Sequence, residues 1–121
     1  MKVFNLYDDP EWDRTEERDG WRSKDAWVGA HIGSELIGGS MYELEPGDRL
    51  WPYHTHHANE EWVIVLRGEP TLRTPEGEQT LREGDVVCFP RGKEGDVHEW
   101  LVLRTGPTDA FRRPIDDFVD F

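Results

Sequence analysis

The residues with the clearest chemical potential are three histidines and a glutamate that lie close together in residues 51–62. Side chains alternate between the two faces of a strand, so His54 and His56 are expected to point the same way, while His57 points elsewhere. The chain is then expected to reverse over residues 57–60, so that Glu61 opens the next strand on the inner face. Two imidazoles and a carboxylate are therefore predicted to meet at one point.

Two neutral imidazoles and one carboxylate on rigid strands form part of a shell for one divalent metal ion per chain. They leave coordination positions open for water, substrate or dioxygen. This donor set suits Fe(II), Mn(II), Ni(II), Co(II) or Zn(II) and does not select among them. The alternative is a solvated polar loop that happens to contain histidines. His57 is expected at the rim of the site, and His31 is expected to be structural or on the surface.

Short apolar runs must position these side chains. Turn residues, among them Gly47, Gly68, Gly77 and Gly84, separate the runs. Each of these glycines lies where a turn favours positive φ. Several short strands bounded by turns predict an all-β sandwich or barrel. The runs cover residues 26–32, 35–44, 49–53, 61–66, 71–74, 78–81, 85–89 and 98–104.

Strand alternation also predicts which side chains face inward. With Glu61 on the inner face, Val63 and Val65 follow it. The opposite face is then covered by Trp62, Ile64 and Leu66. Cys88, the single cysteine, lies in an apolar run and is expected to be a buried small hydrophobe rather than a catalytic thiol.

The segment Gly47–Gly68 resembles the first motif of the cupin family. That motif has a glycine, a His-X-His pair, a glutamate after a short gap, and a glycine six residues later. Here these pieces are Gly47, His54-Thr55-His56, Glu61 and Gly68, with one residue more between Gly47 and His54 than the family usually has. Glu60 is an alternative ligand to Glu61, but only Glu61 keeps the family's spacing to Gly68.

The second cupin motif is similar to residues 84–92, Gly-Asp-Val-Val-Cys-Phe-Pro-Arg-Gly. The sequence segments at residues 56–61 and 71–78 are also similar to segments of small single-domain bacterial cupins. The resemblance covers roughly residues 35–104. It implies a fourth metal ligand after the second motif, which would be His98. Five residues separate Gly92 from His98, more than the family's spacing, and the asparagine that usually follows is absent.

The resemblance implies an antiparallel jelly-roll β-barrel, the double-stranded β-helix of the cupin fold, with the metal inside near one end. It also implies a metal-dependent enzyme on a small polar molecule, of the dioxygenase, decarboxylase or isomerase type. The alternative is a non-catalytic module that binds a small molecule or senses a metal, which the altered second motif favours. No catalytic acid or base is identified by spacing. Arg49 and Arg73 are candidates for binding an anionic substrate group, or for surface ion pairs.

Composition limits the partners. The net charge of −12 disfavours binding to nucleic acid and to anionic membranes, because both bind through a basic patch. No apolar run approaches the length of a membrane span or a signal peptide, and the lone cysteine fits a reducing compartment, so a cytoplasmic location is expected.

The chain is expected to form one domain. Residues 1–25 are polar and acidic, yet contain Trp12 and Trp21, and are predicted to be an arm packed on the barrel or on a partner subunit. The alternative is a loosely ordered leader. Residues 26–121 are predicted to be the barrel. Exposed strand edges and aromatic-rich termini make a homodimer the expected assembly.

Overall fold

Short antiparallel strands dominate the fold. A computed structural model describes residues 1–51, 56–74 and 76–92. The predicted strand at 98–104 lies outside these residues. The described elements, in chain order, are β1 Arg14–Glu16, β2 Ser23–Ala26, α1 Val28–Ile32, β3 Met41–Leu44, β4 Glu61–Ile64, β5 Thr71–Thr74, β6 Gly77–Thr80 and β7 Val86–Phe89.

The described strands form three antiparallel groups, which confirms the all-β prediction. The order is β1-β2-β3 in one sheet, β4-β7 in a second and β5-β6 in a third. β5 and β6 form the hairpin that the turn residues predicted, with Thr71 opposite Thr80 and Thr74 opposite Gly77. The four glycines predicted to have positive φ all have it.

The hydrophobic core lies where the inner faces of these sheets meet. Its buried members come from the loops and from strands of two sheets, and partly buried Tyr42, Leu44 and Val63 pack against them. Burial of these apolar surfaces is the main stabilising term. The buried core residues are Leu50, Val65, Leu72, Leu81 and Phe89.

The N-terminal residues contribute two strands to the first sheet. In β1 and β2, Glu16 lies opposite Ser23 and Arg14 opposite Asp25, and β2 pairs in turn with β3. The inward positions of these strands are polar, so they lack the apolar alternation by which strands are recognised. The division at residue 25 stays a prediction; β2 extends across that position.

Three of the predicted strands differ from the structure. In the run 49–53, the described residues 49–51 are not in a strand. The run 26–32 is a strand only up to Ala26, and Val28–Ile32 is a short helix that ends at Gly33 with a left-handed φ of 75°. Five residues are too few to show a helical period, although the glycine just after Ile32 is a C-cap signal. In the run 35–44 the strand begins only at Met41, after Gly38 and Gly39 have interrupted the pattern.

The prediction that Cys88 is buried is wrong: its side chain is exposed. Cys88 lies opposite Trp62 on the paired strands β4 and β7. Trp62 is 64% exposed, and Ile64 and Val86 of the same face are also exposed. Strand alternation therefore places Cys88 on the outward face, and it correctly predicted this face for Trp62 and Ile64. Burial of Cys88 was suggested only by the unbroken run of apolar residues around it.

Candidate metal centre

Two of the four predicted metal ligands belong to the described part of the chain. These are His56 and Glu61; His54 and His98 lie outside it. The Nε2 atom of His56 is 3.2 Å from the Oε2 atom of Glu61. The side chains are 31% and 40% exposed, respectively, so both can be reached from solvent.

Two backbone contacts bring the donors together. Glu61 is the first residue of β4 and lies opposite Phe89 at the end of β7. Beyond that strand end, the N–H of Gly92 donates a hydrogen bond of 3.0 Å to the carbonyl oxygen of His56. The segment that follows β7 therefore fixes the His56 loop beside the start of β4. The second motif thus positions a residue of the first.

An imidazole nitrogen and a carboxylate oxygen that converge at a partly exposed point fit a divalent metal ion in donor chemistry. Among residues 1–51, 56–74 and 76–92, no cluster of three or more metal-binding side chains occurs. The full ligand set of His54, His56, Glu61 and His98 therefore stays a prediction. His57 is exposed, as expected for a rim residue.

A row of polar side chains crosses the inner face of the first sheet near Glu61. Arg14 lies opposite Asp25, and Asp25 lies opposite Tyr42. Trp51 contacts both ends of this row: its ring is 6.0 Å from that of Tyr42, edge to face, and 5.4 Å from the guanidinium carbon of Arg14. The indole therefore spans the row whose middle member is Asp25.

Tyr42 connects this row to the predicted ligand Glu61. Burial raises the pKa of the Tyr42 phenol, and the negative charges of Asp25 and Glu61 raise it further, against hydrogen bonds with Ser40 and Trp51 that lower it. Tyr42 is thus a protonated phenol at neutral pH, close enough to Glu61 to sense its charge. Neither Tyr42 nor Asp25 was identified from the sequence; the cross-strand register reveals them.

Asp25 is the most unusual member of the row. Its side chain is buried, and its Oδ2 atom is 3.6 Å from the Nε atom of Arg14. Its Oδ1 atom is buried and has no hydrogen-bond partner among residues 1–51, 56–74 and 76–92. Such an arrangement costs stability, which points to a role other than folding.

An open cleft borders Arg14 and Trp51. It contains about 280 Å³ of space, part of which is open solvent. Arg49, one of the two arginines proposed from the sequence, lies 5.3 Å from the ring centre of Trp21. Arg73 lies on β5 opposite Glu78. The cleft is lined by Arg14, Glu16, Arg18, Trp21, Ser23, Leu50 and Trp51.

No helix in the described part of the chain has the length and apolar character needed to cross a membrane. His31 contacts Asp13, with its Nε2 atom 2.8 Å from Asp13 Oδ2. This contact on an exposed helix confirms the structural or surface role expected for His31.

Comparison with known proteins supports the fold. A crystal structure from Acidithiobacillus ferrooxidans ATCC 23270, of a protein provisionally named as a sugar phosphate isomerase, is 33% identical with a TM-score of 0.56. The match covers 60% of this chain and 46% of that one, so this chain spans about half the length of its structural relative. No curated protein matches the chain.

The match to a family model is more extensive. The model of the cupin domain matches residues 40–108, which is more than half of the chain. The matched range includes both motifs, the His56–Glu61 contact and the strands β3 to β7. Together with the antiparallel all-β architecture and the structural relative, this match shows that the chain belongs to the cupin family.

Proposed function

We propose that this cupin is a metal-dependent enzyme that isomerises a small polar molecule. The observation that carries the proposal is the 3.2 Å approach of His56 Nε2 to Glu61 Oε2 at a partly exposed point. His54 and His98 complete the proposed ligand set. Isomerisation is favoured over oxygenation or decarboxylation because the structural relative is named as an isomerase.

The side chains around His56 and Glu61 are suited to binding an oxygen-rich substrate. A bound divalent ion supplies a Lewis acid that polarises a carbonyl oxygen. Tyr42 offers a phenolic O–H that stays protonated, because burial raises the pKa of Tyr42. That group can donate a hydrogen bond to a substrate oxygen. The rings of Tyr42 and Trp51 meet edge to face at 6.0 Å beside this group.

Elemental analysis of tag-free protein tests the metal centre. We expect close to one divalent ion per chain in the wild type, because His56 and Glu61 supply converging donors. His56→Ala and Glu61→Ala are expected to lose most of it, since each removes a ligand. His57→Ala is the matched control, because His57 is adjacent to His56 and exposed, and it should retain the metal.

Two further variants test the other predicted ligands. His54→Ala should also lose the metal. Loss in His98→Ala would indicate four protein ligands, and retention would indicate three. Absence of metal in the wild type, even after reconstitution with Fe(II), Mn(II), Ni(II), Co(II) or Zn(II), would contradict the proposal.

The reaction type needs a separate measurement. An isomerase that moves a proton beside a carbonyl is expected to exchange that proton with solvent, so aldose and ketose substrates in D₂O should incorporate deuterium, as read by NMR. The alternative is the non-catalytic binding module that the spacing after Gly92 favours. That module would bind metal and ligand without exchange or turnover.

A further inference from the structure

We propose that the cleft beside Trp51 binds the phosphate group of a phosphorylated substrate through Arg14 and Arg18. The proposal rests on the proposed function, because it names the substrate class of the same centre. The cleft is lined by both arginines, with Glu16, Trp21, Ser23, Leu50 and Trp51 completing its wall.

Arg14 is held in place by two neighbours. Its guanidinium lies over the Trp51 ring at 5.4 Å, and its Nε atom is 3.6 Å from Asp25 Oδ2. The Arg14 side chain is nevertheless 46% exposed. A guanidinium fixed by stacking and by a carboxylate at Nε carries further donors on its terminal nitrogens. Paired donors of this kind match the oxygens of a phosphate group.

Asp25 explains why this arginine is fixed. Among the described residues, Asp25 is a buried carboxylate with one unpartnered oxygen, and burial of such a group costs stability. Its other oxygen, 3.6 Å from Nε of the half-exposed Arg14, orients the guanidinium at the inner face of the sheet. The cost in stability is consistent with a binding role.

The cleft and the polar row share Arg14 and Trp51. Arg14, Asp25 and Tyr42 occupy one row across β1, β2 and β3, and the charge of Glu61 acts on Tyr42. Trp51 contacts Tyr42 and Arg14 at the two ends of the row. Trp51 therefore borders both the cleft and the Tyr42 end of the row.

Two guanidinium groups and one carboxylate line the cleft. Arg18 lies 4.9 Å from the ring centre of Trp21 and brings a second guanidinium. Glu16 is the opposing charge, but its Oε1 atom already accepts a hydrogen bond of 3.0 Å from the backbone N–H of Arg18. Two arginines suit a phosphate better than a single carboxylate, because a phosphate presents three acceptor oxygens and up to two charges.

Calorimetric titration of three related probes tests the proposal. The probes are glucose 6-phosphate, glucose and gluconate, added to the protein as purified and after treatment with a chelator. We expect glucose 6-phosphate to bind at least about tenfold more tightly than the other two in both preparations. Binding that survives the chelator does not depend on a metal.

Two variants assign that binding to the cleft. Arg18→Gln and Arg14→Lys are each expected to weaken glucose 6-phosphate binding about tenfold, through loss of charge-assisted hydrogen bonds. Arg14→Lys keeps a positive charge beside the buried Asp25, so that the fold is retained, as circular dichroism would check. Arg82→Gln is the control, because the Arg82 side chain is 84% exposed and does not line the cleft.

The outcomes separate this proposal from the proposed function. Unchanged glucose 6-phosphate binding in both cleft variants would overturn it, and so would equally tight binding of gluconate. If the protein binds glucose 6-phosphate but holds no metal and shows no turnover, the phosphate cleft is supported and the isomerase proposal is contradicted. If it holds metal and shows turnover but does not bind the phosphate group, the isomerase is supported and the cleft is contradicted.

Discussion

Asp13 shows how a single side chain joins two segments of the N-terminal region. Its Oδ2 atom accepts a hydrogen bond from the backbone N–H of Trp27 at 2.8 Å and lies 2.8 Å from His31 Nε2. Its own backbone N–H donates to the carbonyl oxygen of Asp25 at 2.9 Å. One residue thus links the edge of the first sheet to both ends of α1.

These contacts predict an acid-sensitive contribution to stability. The hydrogen bond from Trp27, followed by the one from His31, lowers the pKa of Asp13 below its usual 3.8. A carboxyl whose pKa is depressed on folding stabilises the protein above the unfolded value, and this contribution is lost as pH falls through the folded value. We expect Asp13→Asn to be less stable than wild type at neutral pH and to lose less free energy of unfolding between about pH 5 and pH 2.

Urea unfolding followed by tryptophan fluorescence across that pH range would measure the difference. Asp8→Asn, at an exposed aspartate of the same segment, is the control and should follow the wild-type pH profile. Parallel pH profiles for Asp13→Asn and wild type would contradict the expected role of Asp13.

At the scale of elements, the turns control how strands meet. Gly84 lies before β7 with a φ of 88°, and its N–H donates a hydrogen bond of 2.8 Å to the carbonyl oxygen of Val65. The next residue, Asp85, accepts through its carbonyl oxygen from the N–H of Val65 at 2.9 Å. The turn therefore continues the pairing of β4 and β7 beyond their ends and fixes the register that places Glu61 opposite Phe89.

Gly84→Ala is expected to lower the free energy of unfolding by about 1–2 kcal/mol, the cost of a left-handed conformation in a residue with a Cβ atom. An added Cβ would meet no atom within 4 Å, so the cost is conformational rather than steric. Gly38→Ala is the matched control, since it also has open space and no positive φ. It should be neutral or stabilising by up to about 1 kcal/mol. Equal urea midpoints for the two variants would contradict the prediction.

The same scale shows what the sequence can predict. The strand at 71–74 matches its prediction, and β4 and β7 begin within one residue of their predicted starts. These strands were predictable because each is a run of apolar residues bounded by turn residues. β1 and β2 were not recognised, because Arg14, Glu16, Ser23 and Asp25 occupy positions where a core-facing strand is usually apolar. The contact of His56 with Glu61 follows the predicted spacing, but the row that ends at Tyr42 requires the pairing of distant strands. No local pattern encodes that pairing.

At the scale of the whole molecule, one family fold accounts for most of the chain. The cupin match covers residues 40–108, and the strands before it extend the sheet that carries β3. The proposed metal centre depends on β4 and β7, whereas the proposed phosphate cleft depends on β1 and the loops beside it. The two halves of the proposed substrate site therefore have different origins in the chain.

The assembly expected from the sequence is a homodimer. Large apolar side chains exposed together on one sheet face, as Trp62, Ile64 and Val86 are, are typical of an interface. Sedimentation equilibrium under reducing conditions is expected to give twice the 14.1 kDa mass of the chain. A mass of one chain at all concentrations would contradict the prediction.

The exposed thiol of Cys88 has a practical consequence. As the chain has one cysteine, a maleimide dye would attach to the single-chain form at one position, directly across from the indole of Trp62. In a dimer formed through this face the thiol would be covered. The next residue, Phe89, lies opposite Glu61. A label on the outer surface would therefore lie one residue along the strand from the partner of a proposed metal ligand. Quenching of tryptophan emission by such a dye offers a titration signal for metal loading that requires no knowledge of the substrate.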